Sequence, residues 1–344
     1  MKITVLKKGG KTVDRGRSTQ DLPSLLQDET NIVWVDIDDW NDQVVKVLTE
    51  TFHFHPLSIE HALETRHHPF IENYGDYISF TVHGVTKETD AHRFVTNELD
   101  GFLGSNFLVT YHDQQFRSIS SLDAVIDSAP HTISRGADFL LHKILDQMID
   151  AYIPVVEDFD DSIGGLEDDI FEAKDGNTEI LEEVMRLKRS VGRLIRISTK
   201  QTSVLHRLAS SEFTQISSEA TPFLRDVCDH LQRIATLAES HRDLISSLMD
   251  VHLSVISNKT NDIMKLLAIF SAVMLPLSLI AGIYGMNIKS LPDDQHPDAF
   301  WHLMLVMAAI GIALMFYFWR KGWIKGFDRG KSAVAVRKSD SPDS

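Results

Sequence analysis

This chain has little cysteine and no nucleotide-binding loop of the common type. The single cysteine among 344 residues, Cys228, excludes an intramolecular disulfide and fits a reducing compartment. The pattern GxxxxGK[ST] does not occur, so the chain carries no phosphate-binding loop of that type. The opening segment MKITVLKKGG lacks an apolar run with a cleavage site, and we therefore expect no secretory signal.

Positive charge is also in short supply. The 34 Lys and Arg residues are outnumbered by 49 Asp and Glu residues, which gives a net charge of −15. This balance argues against nucleic acid as a partner and suits a protein that meets cations. No arrangement of nucleophile and base stands out, so an enzyme is the least supported class.

Charged residues are missing from two long segments near the C-terminal end. None occurs between Lys265 and Lys289, and none occurs from Phe300 to Trp319. Each segment supplies the roughly 20 apolar residues that a helix needs to cross a bilayer. The sequence therefore predicts a transmembrane hairpin with an external loop at 288–299, a second span at 300–319 and a basic tail at 320–344.

The first span has a face of small and polar residues. At steps of three or four residues this face contains Asn261, Met264, Ala268, Ser271, Leu275 and Ser278. A face of this kind either packs closely against other helices or lines water, and the pattern alone leaves both open. Pro276 is tolerated inside a helix bundle, and Gly285 is expected to end the helix in a left-handed turn.

Residues 1–136 show a mixed α/β pattern. Three β-rich segments, 32–37, 77–82 and 106–111, predict strands of a common sheet. Between the first two, apolar spacing predicts a helix from Asp42 to Glu64. The fold class expected is an α+β cytosolic domain, followed by a long-helix stalk and the transmembrane hairpin.

A group of histidines lies in this domain. A transition-metal site is one interpretation, because imidazole suits Zn, Ni and Cu. The group has no cysteine, no HExxH motif and no clear helical His pair, which favours surface or capping histidines. Its members are His53, His55, His61, His67 and His68.

Residues 137–220 are helical and acidic. Apolar spacing predicts an antiparallel hairpin of two helices, Phe139 to Lys174 and Thr178 to Ala209, separated by Asp175-Gly176-Asn177. The acidic residues form either a solvated face or a diffuse reservoir of cations acting through its field. They are Glu157, Asp158, Asp160, Asp161, Glu167, Asp168, Asp169, Glu172, Asp175, Glu179, Glu182 and Glu183.

The segment 221–287 predicts one long helix. From Pro222 to Gly285 it would measure about 95 Å at about 1.5 Å per residue. One chain cannot bury so long a helix, so the sequence predicts self-association into a bundle.

Several motifs together resemble the CorA family of magnesium channels. They are Tyr284-Gly285-Met286-Asn287, the preceding Ile280-Ala281-Gly282-Ile283, Pro276, and the segment from Trp319 to Trp323 at the end of the second span. The triplet Gly-Met-Asn is that family's signature. The resemblance implies a funnel-shaped homopentamer in the inner (plasma) membrane, whose first spans surround the pore. Lysines and arginines beside the spans favour cytosolic termini.

The same resemblance assigns roles along the first span. Gly285, Met286 and Asn287 would form the selectivity filter, with the Asn287 amides holding a hydrated Mg²⁺ ion. The positions lining the pore would be Asn261, Met264, Leu267, Ala268, Ser271, Leu275 and Ser278. Thr is common in the family where Ser278 stands, and Met where Leu275 stands, which leaves a Co²⁺, Ni²⁺ or Zn²⁺ transporter as the alternative. A two-span receptor is disfavoured because the loop 288–299 is too short to form a sensing domain.

The resemblance further implies regulation by Mg²⁺ itself. An acidic stalk residue, here Asp226, would pair across a subunit boundary with one from the N-terminal domain, here Asp90 or Glu88. Two facing carboxylates repel unless a cation bridges them. The alternative is that Asp226 is a first-turn residue favoured by the helix dipole.

Overall fold

The computed structural model describes residues 1–10, 12–64, 68–114, 116–128, 133–172, 178–286 and 298–323. The chain forms two compact units, Met1–Asp250 and Val251–Ser344. The strands are β1 (Lys2–Lys7), β2 (Val13–Arg15), β3 (Asn31–Ile37), β4 (Phe70–Asn73), β5 (Ile78–Val85), β6 (Thr96–Leu103) and β7 (Phe107–Tyr111). The α-helices are α1 (Leu22–Gln27), α2 (Asp42–Lys46), α3 (Pro56–Leu63), α4 (Arg117–Ser128), α5 (Ala137–Asp150), α6 (Ile153–Glu172), α7 (Thr178–Leu208), α8 (Thr221–Tyr284) and α9 (Ala299–Arg320).

The strands of the first unit form one mixed sheet in the order β2-β1-β3-β7-β6-β5-β4. β3 and β7 are parallel, and the other neighbouring strands run antiparallel. The predicted strands at 32–37, 77–82 and 106–111 coincide with β3, β5 and β7, whose apolar side chains are buried. The α+β class predicted for this part of the chain is thereby confirmed.

The continuous helix predicted from Asp42 to Glu64 is wrong. α2 continues into a π-helical turn at Val47–Thr51, and the chain then breaks before α3. Pro56 is the first residue of α3 and forces the preceding His55 into an extended conformation, with φ −64° and ψ 136°. His53 adopts a left-handed φ of 56°, which completes the break.

The single helix predicted from Phe139 to Lys174 is also wrong, because the chain breaks at Ala151 and Tyr152 between α5 and α6. α5 packs against the sheet, whereas α6 packs against α7. The Tyr152 hydroxyl donates a hydrogen bond of 2.8 Å to the carbonyl of His83 on β5, which anchors the break. The predicted connection Asp175-Gly176-Asn177 lies outside the described residues, and the second helix is confirmed as α7.

The long helix predicted from Pro222 to Gly285 is confirmed as α8, which has 64 residues and continues through Pro276. Residues 221–250 of this helix belong to the first unit and residues 251–284 to the second. In the first unit a buried stripe at heptad-like spacing contains Leu224, Leu231, Ile234, Ala238 and Ile245. In the second unit, α9 and the end of α8 are each long and apolar enough to cross a membrane.

Candidate functional site

The seven predicted pore positions share one exposed face of α8. Leu275 is 69% exposed, Met264 59% and Leu267 57%, although all three are large and apolar. The four smaller or polar members of the face, Asn261, Ala268, Ser271 and Ser278, are exposed as well. Large apolar side chains left uncovered by their own chain need another covering, from lipid or from a second copy.

One stripe on the opposite side of the same segment is partly covered. Ile269, Val273, Leu277 and Ile280 are buried or half-buried. A Cβ atom added at Gly311 of α9 would lie 4.0 Å from Cδ1 of Leu277, so α9 lies against this stripe. At about 100° per residue the stripe and the seven-residue face lie on opposite sides of the helix. α9 therefore occupies the back of α8 and leaves the predicted pore face open.

The predicted filter begins where α8 ends. The amide of Gly285 donates to the Ala281 carbonyl at 2.9 Å, and that of Met286 donates to the Ile283 carbonyl at 3.2 Å. The left-handed turn expected at Gly285 is not present. A Cβ at that position would instead stand 3.0 Å from the Ala281 carbonyl oxygen, which is tighter than an ordinary contact. Asn287 lies outside the described residues.

The carboxylates predicted to sense cations differ in their surroundings. Asp90 lies in the loop between β5 and β6, where its Oδ1 accepts the backbone N–H groups of His92 and Arg93, each at 2.8 Å. Glu88 in the same loop is exposed, with its Oε2 at 3.9 Å from Nη2 of Arg93. Both carboxylates therefore stand on the surface of the first unit, in a loop whose turn is stabilised by Asp90 itself.

Asp226 stands on the surface of α8. Its side chain is 68% exposed, with Oδ2 3.7 Å from Nε2 of His230 one turn later. α8 has no acidic residue in its first turn, so the alternative of Asp226 as a first-turn residue is not supported. The pKa of the nearby His142 is lowered, because burial outweighs the opposing negative charges of Asp146 and Asp226. Among the described residues of a single chain, no group of three or more His, Cys, Asp or Glu side chains forms a metal site.

A clamp that the sequence did not predict holds the hairpin carrying Asp90. Gln201 of α7 is fully buried, and its amide accepts the N–H of His83 at 2.7 Å and donates to the carbonyl of His83 at 3.1 Å. β4 pairs with β5 only as far as Thr81. Beyond Thr81, the Gln201 amide makes the hydrogen bonds to the backbone of His83 that a neighbouring strand would otherwise make.

A second part of the clamp lies closer to the loop. Ser190 Oγ of α7 accepts the N–H of Phe94 at 3.3 Å, and Arg193 Nη1 donates to the Phe94 carbonyl at 3.2 Å. Phe94 itself is buried. α7 thus fixes the backbone four residues after Asp90. The sequence gives no sign of this contact, because Ser190 and Gln201 read as ordinary polar residues of a charged helix.

The histidine group does not form a metal site within the described residues. His55 caps α3 by accepting the N–H of Leu57 at Nδ1, 3.2 Å away, and His61 packs edge-on against Phe70. The capping interpretation is therefore correct for His55, whereas His67 lies outside the described residues.

The acidic residues of α6 form an exposed face, as the solvated interpretation requires. Asp160 reaches another helix, since its Oδ1 lies 3.4 Å from Nε2 of the buried His241 on α8. The remaining described acidic residues are exposed, except for the partly buried Glu183, whose Oε1 lies 3.7 Å from Nε2 of His92.

Comparison with known proteins relates the chain to one group of transporters. Residues 29–321 match the family model described as "CorA-like Mg2+ transporter protein". The chain is 30% identical to the Cobalt/magnesium transport protein CorA of Thermotoga maritima, over 89% of this chain and 88% of that protein. It is 25% identical to the protein of the same name from Methanocaldococcus jannaschii, over 88% of this chain and 95% of the other. The complete structure of the M. jannaschii CorA magnesium transporter has the same fold, with a TM-score of 0.79 and 23% identity over 93% of this chain and 98% of that one.

Proposed function

The chain belongs to the CorA family of divalent-cation transporters, and from this premise we propose that it forms a homopentameric Mg²⁺ channel in the inner (plasma) membrane. Members of this family are transporters and not enzymes, so the chain transports divalent cations across a membrane. The channel mechanism, the preference for Mg²⁺ and the number of subunits are the parts proposed here.

The observation that carries the proposal is that the two sides of α8 differ from Asn261 onward: one side contacts α9 and the other is exposed. α9 lies against one side, at Leu277, while the opposite side exposes Leu275 and Met264. When copies of this helix surround an axis with that open side inward, its polar members face the ions. The larger apolar members, which also include Leu267, then form constrictions that close by excluding water.

Selection of Mg²⁺ is assigned to the segment 285–287. Mg²⁺ is reluctant to lose its water, so a filter must recognise the hydrated ion. A ring of Asn287 amide oxygens accepts hydrogen bonds from those waters without the tight binding that a ring of carboxylates would produce. Deeper along the face, the Ser278 and Ser271 hydroxyls and the small Ala268 leave room for the hydrated ion, and Asn261 forms the inner polar ring.

The driving force is the membrane potential. A divalent cation entering a negative-inside compartment gains about 4.6 kcal/mol for about 100 mV, twice the value for a single charge. Lys259, Lys265, Arg320 and Lys321 flank the spans on the side proposed as cytosolic, whereas the loop 288–299 contains three aspartates and one lysine. Both termini are therefore assigned to the cytosol.

Regulation is assigned to Mg²⁺ bound between subunits. Asp226 of one copy faces Asp90 or Glu88 of the next, and the ion relieves the repulsion between them. Loss of the ion separates the subunits and loosens the stalk helices. The exposure of these carboxylates in a single chain supports this assignment, since each is accessible to a neighbouring copy.

The pore face is tested by cysteine accessibility in proteoliposomes with an inside-negative potential. In a Cys228→Ser background, we expect a charged methanethiosulfonate reagent to block Mg²⁺ uptake by Ser271→Cys and to leave uptake by Val273→Cys unchanged. Equal block at both positions, or block at Val273→Cys alone, contradicts the assigned face. Competing Co²⁺, Ni²⁺ and Zn²⁺ in the same assay distinguish the alternative cargoes.

A further inference from the structure

The first unit contains a cavity that the ion pathway does not use. It has a volume of ≈ 770 Å³ and lies between α7 and the strands β6 and β7. Cavities of about 300–1,000 Å³ are typical of sites for small organic ligands. Its size alone therefore permits a ligand larger than an ion.

One wall of this cavity is cationic. Arg193, Arg196 and Lys200 line it, and their spacing of three and four residues places them on one face of α7. Arg193 uses one N–H for the Phe94 carbonyl. Within the described part of the chain, Arg196 and Lys200 form no ion pair as close as 4.0 Å. Both side chains are exposed, so their charges are open to a ligand that enters the cavity.

The wall formed by the strands accepts hydrogen bonds. Glu98 and Asp113 line it with carboxylates, while the buried Asp100 accepts the Thr81 hydroxyl at 2.6 Å. Oε1 of Glu98 lies 3.9 Å from Nε2 of His83. A simple inorganic anion would leave the carboxylates Glu98 and Asp113 facing negative charge, and an apolar ligand would leave the cations of α7 without partners.

We propose that this cavity binds a nucleoside phosphate. The phosphate groups contact Arg196 and Lys200 through charge-assisted hydrogen bonds. The ribose hydroxyls and the amino group of the base donate to Glu98 and Asp113, as acidic side chains do in other nucleotide sites. Leu63 and Ile197, which also line the cavity, supply apolar surface for the base. This inference does not depend on the proposed channel mechanism or on its regulation by Mg²⁺.

The test measures ATP binding to the purified full-length protein by calorimetry, with inorganic pyrophosphate as the second probe. The variant Arg196→Gln/Lys200→Gln removes two cations from the cavity. The matched control Lys188→Gln/Arg189→Gln removes two exposed cations from the same helix outside it. We expect the cavity variant to bind ATP at least about tenfold more weakly than the parent, and the control to change by less than about twofold. Arg193 is left intact because it also holds Phe94.

Three results would overturn the proposal. The parent does not bind ATP saturably at millimolar concentration, both double variants lose the same ATP affinity, or pyrophosphate binds as tightly as ATP. The last result would indicate a site for inorganic phosphate alone. If the cavity variant does not fold, photolabelling of the parent with 8-azido-ATP replaces it. Label on cavity residues such as Leu63 or Ile197 supports the site, and label elsewhere refutes it.

Discussion

Replacing Gln201, a fully buried polar side chain of α7, with leucine is expected to destabilise the first unit. The substitution keeps the volume in the buried site but removes both hydrogen bonds to His83, at 2.7 and 3.1 Å. The N–H of His83 then loses its bond to Gln201, whereas the carbonyl of His83 keeps the bond from the Tyr152 hydroxyl at 2.8 Å.

The expected loss follows from those two bonds. An orphaned buried N–H costs about 1–3 kcal/mol, and the lost bond to the carbonyl adds about 1 kcal/mol, which gives about 2–4 kcal/mol in total. Thermal unfolding of the full-length protein in detergent, followed by tryptophan fluorescence, is expected to show a decrease in Tm of about 5–10 °C. Because Tyr152→Phe leaves the Gln201 bond in place, it is expected to cost only about 1 kcal/mol.

A matched variant on the same helix separates this effect from a general weakening of α7. Thr199 is exposed, and its hydroxyl bonds only to the Ile195 carbonyl of its own helix, at 2.7 Å. Thr199→Ala is therefore expected to leave Tm nearly unchanged. The double variant of Gln201 and Tyr152 is expected to lose more than the sum of the single variants, because the His83 carbonyl then has neither partner. A Gln201→Leu protein that melts within about 1 °C of the parent would refute the clamp.

Three further predictions concern regulation, pH and topology. Asp226→Lys is expected to make the rate of proteolysis independent of millimolar Mg²⁺ to within about twofold, because a fixed cation replaces the ion. Asp229→Lys, one turn away and also exposed, is the control. If the rate for Asp226→Lys still depends on Mg²⁺ as strongly as in the parent, Asp226 is not part of the sensor. Burial lowers the pKa of His112, but its hydrogen bond to Asp36 and the charge of that carboxylate outweigh burial and raise it. The pair therefore stabilises the protein below the ordinary His pKa of about 6.5, and this contribution is lost as the pH rises through the raised value. As the pH rises above about 6.5, the melting temperature is expected to fall in the parent through loss of the charged His112–Asp36 pair, but not in His112→Gln. Identical pH profiles for the two proteins would contradict a stabilising role of this pair. A reporter fused after Ser344 is expected to be active only inside the cell. Labelling of that terminus by an impermeant reagent in intact cells would show that it lies outside and would contradict the proposed topology.

The elements that could be predicted from the sequence are those with a strong local pattern. The uncharged segment after Lys265 and the helical pattern of residues 221–287 predicted α8. Runs rich in β-branched and aromatic residues predicted β3, β5 and β7. β6 was missed because its sequence, TNELDGFL, combines polar residues and a glycine that disfavour strands. Its place in the sheet depends on pairing with β5 and β7, which no local pattern records.

The wrong helix from Asp42 to Glu64 has a local cause at Pro56 and His53, whereas two other failures depend on distant partners. The break before α6 is anchored by a bond between Tyr152 and His83, 69 positions apart in the sequence. Gln201 and Ser190 read as ordinary polar residues of a solvated helix until the sheet lies beside them. That the seven predicted pore positions share one face of α8, in contrast, follows from helical spacing. Their role in a pore rests on the family resemblance, because the spacing fits close helix packing equally well.

The filter is the central claim of the proposed mechanism, and uptake of Mg²⁺ by Asn287→Ala proteoliposomes tests it most directly. Gln295→Ala is the matched control, because it removes an amide from the predicted loop 288–299 without touching the Gly-Met-Asn triplet. With oligomer size and Tm unchanged, we expect Asn287→Ala to lose Mg²⁺ uptake under an inside-negative potential, whereas Gln295→Ala keeps the parent rate. Normal Mg²⁺ uptake by a folded Asn287→Ala protein would contradict selection by a ring of Asn287 amides.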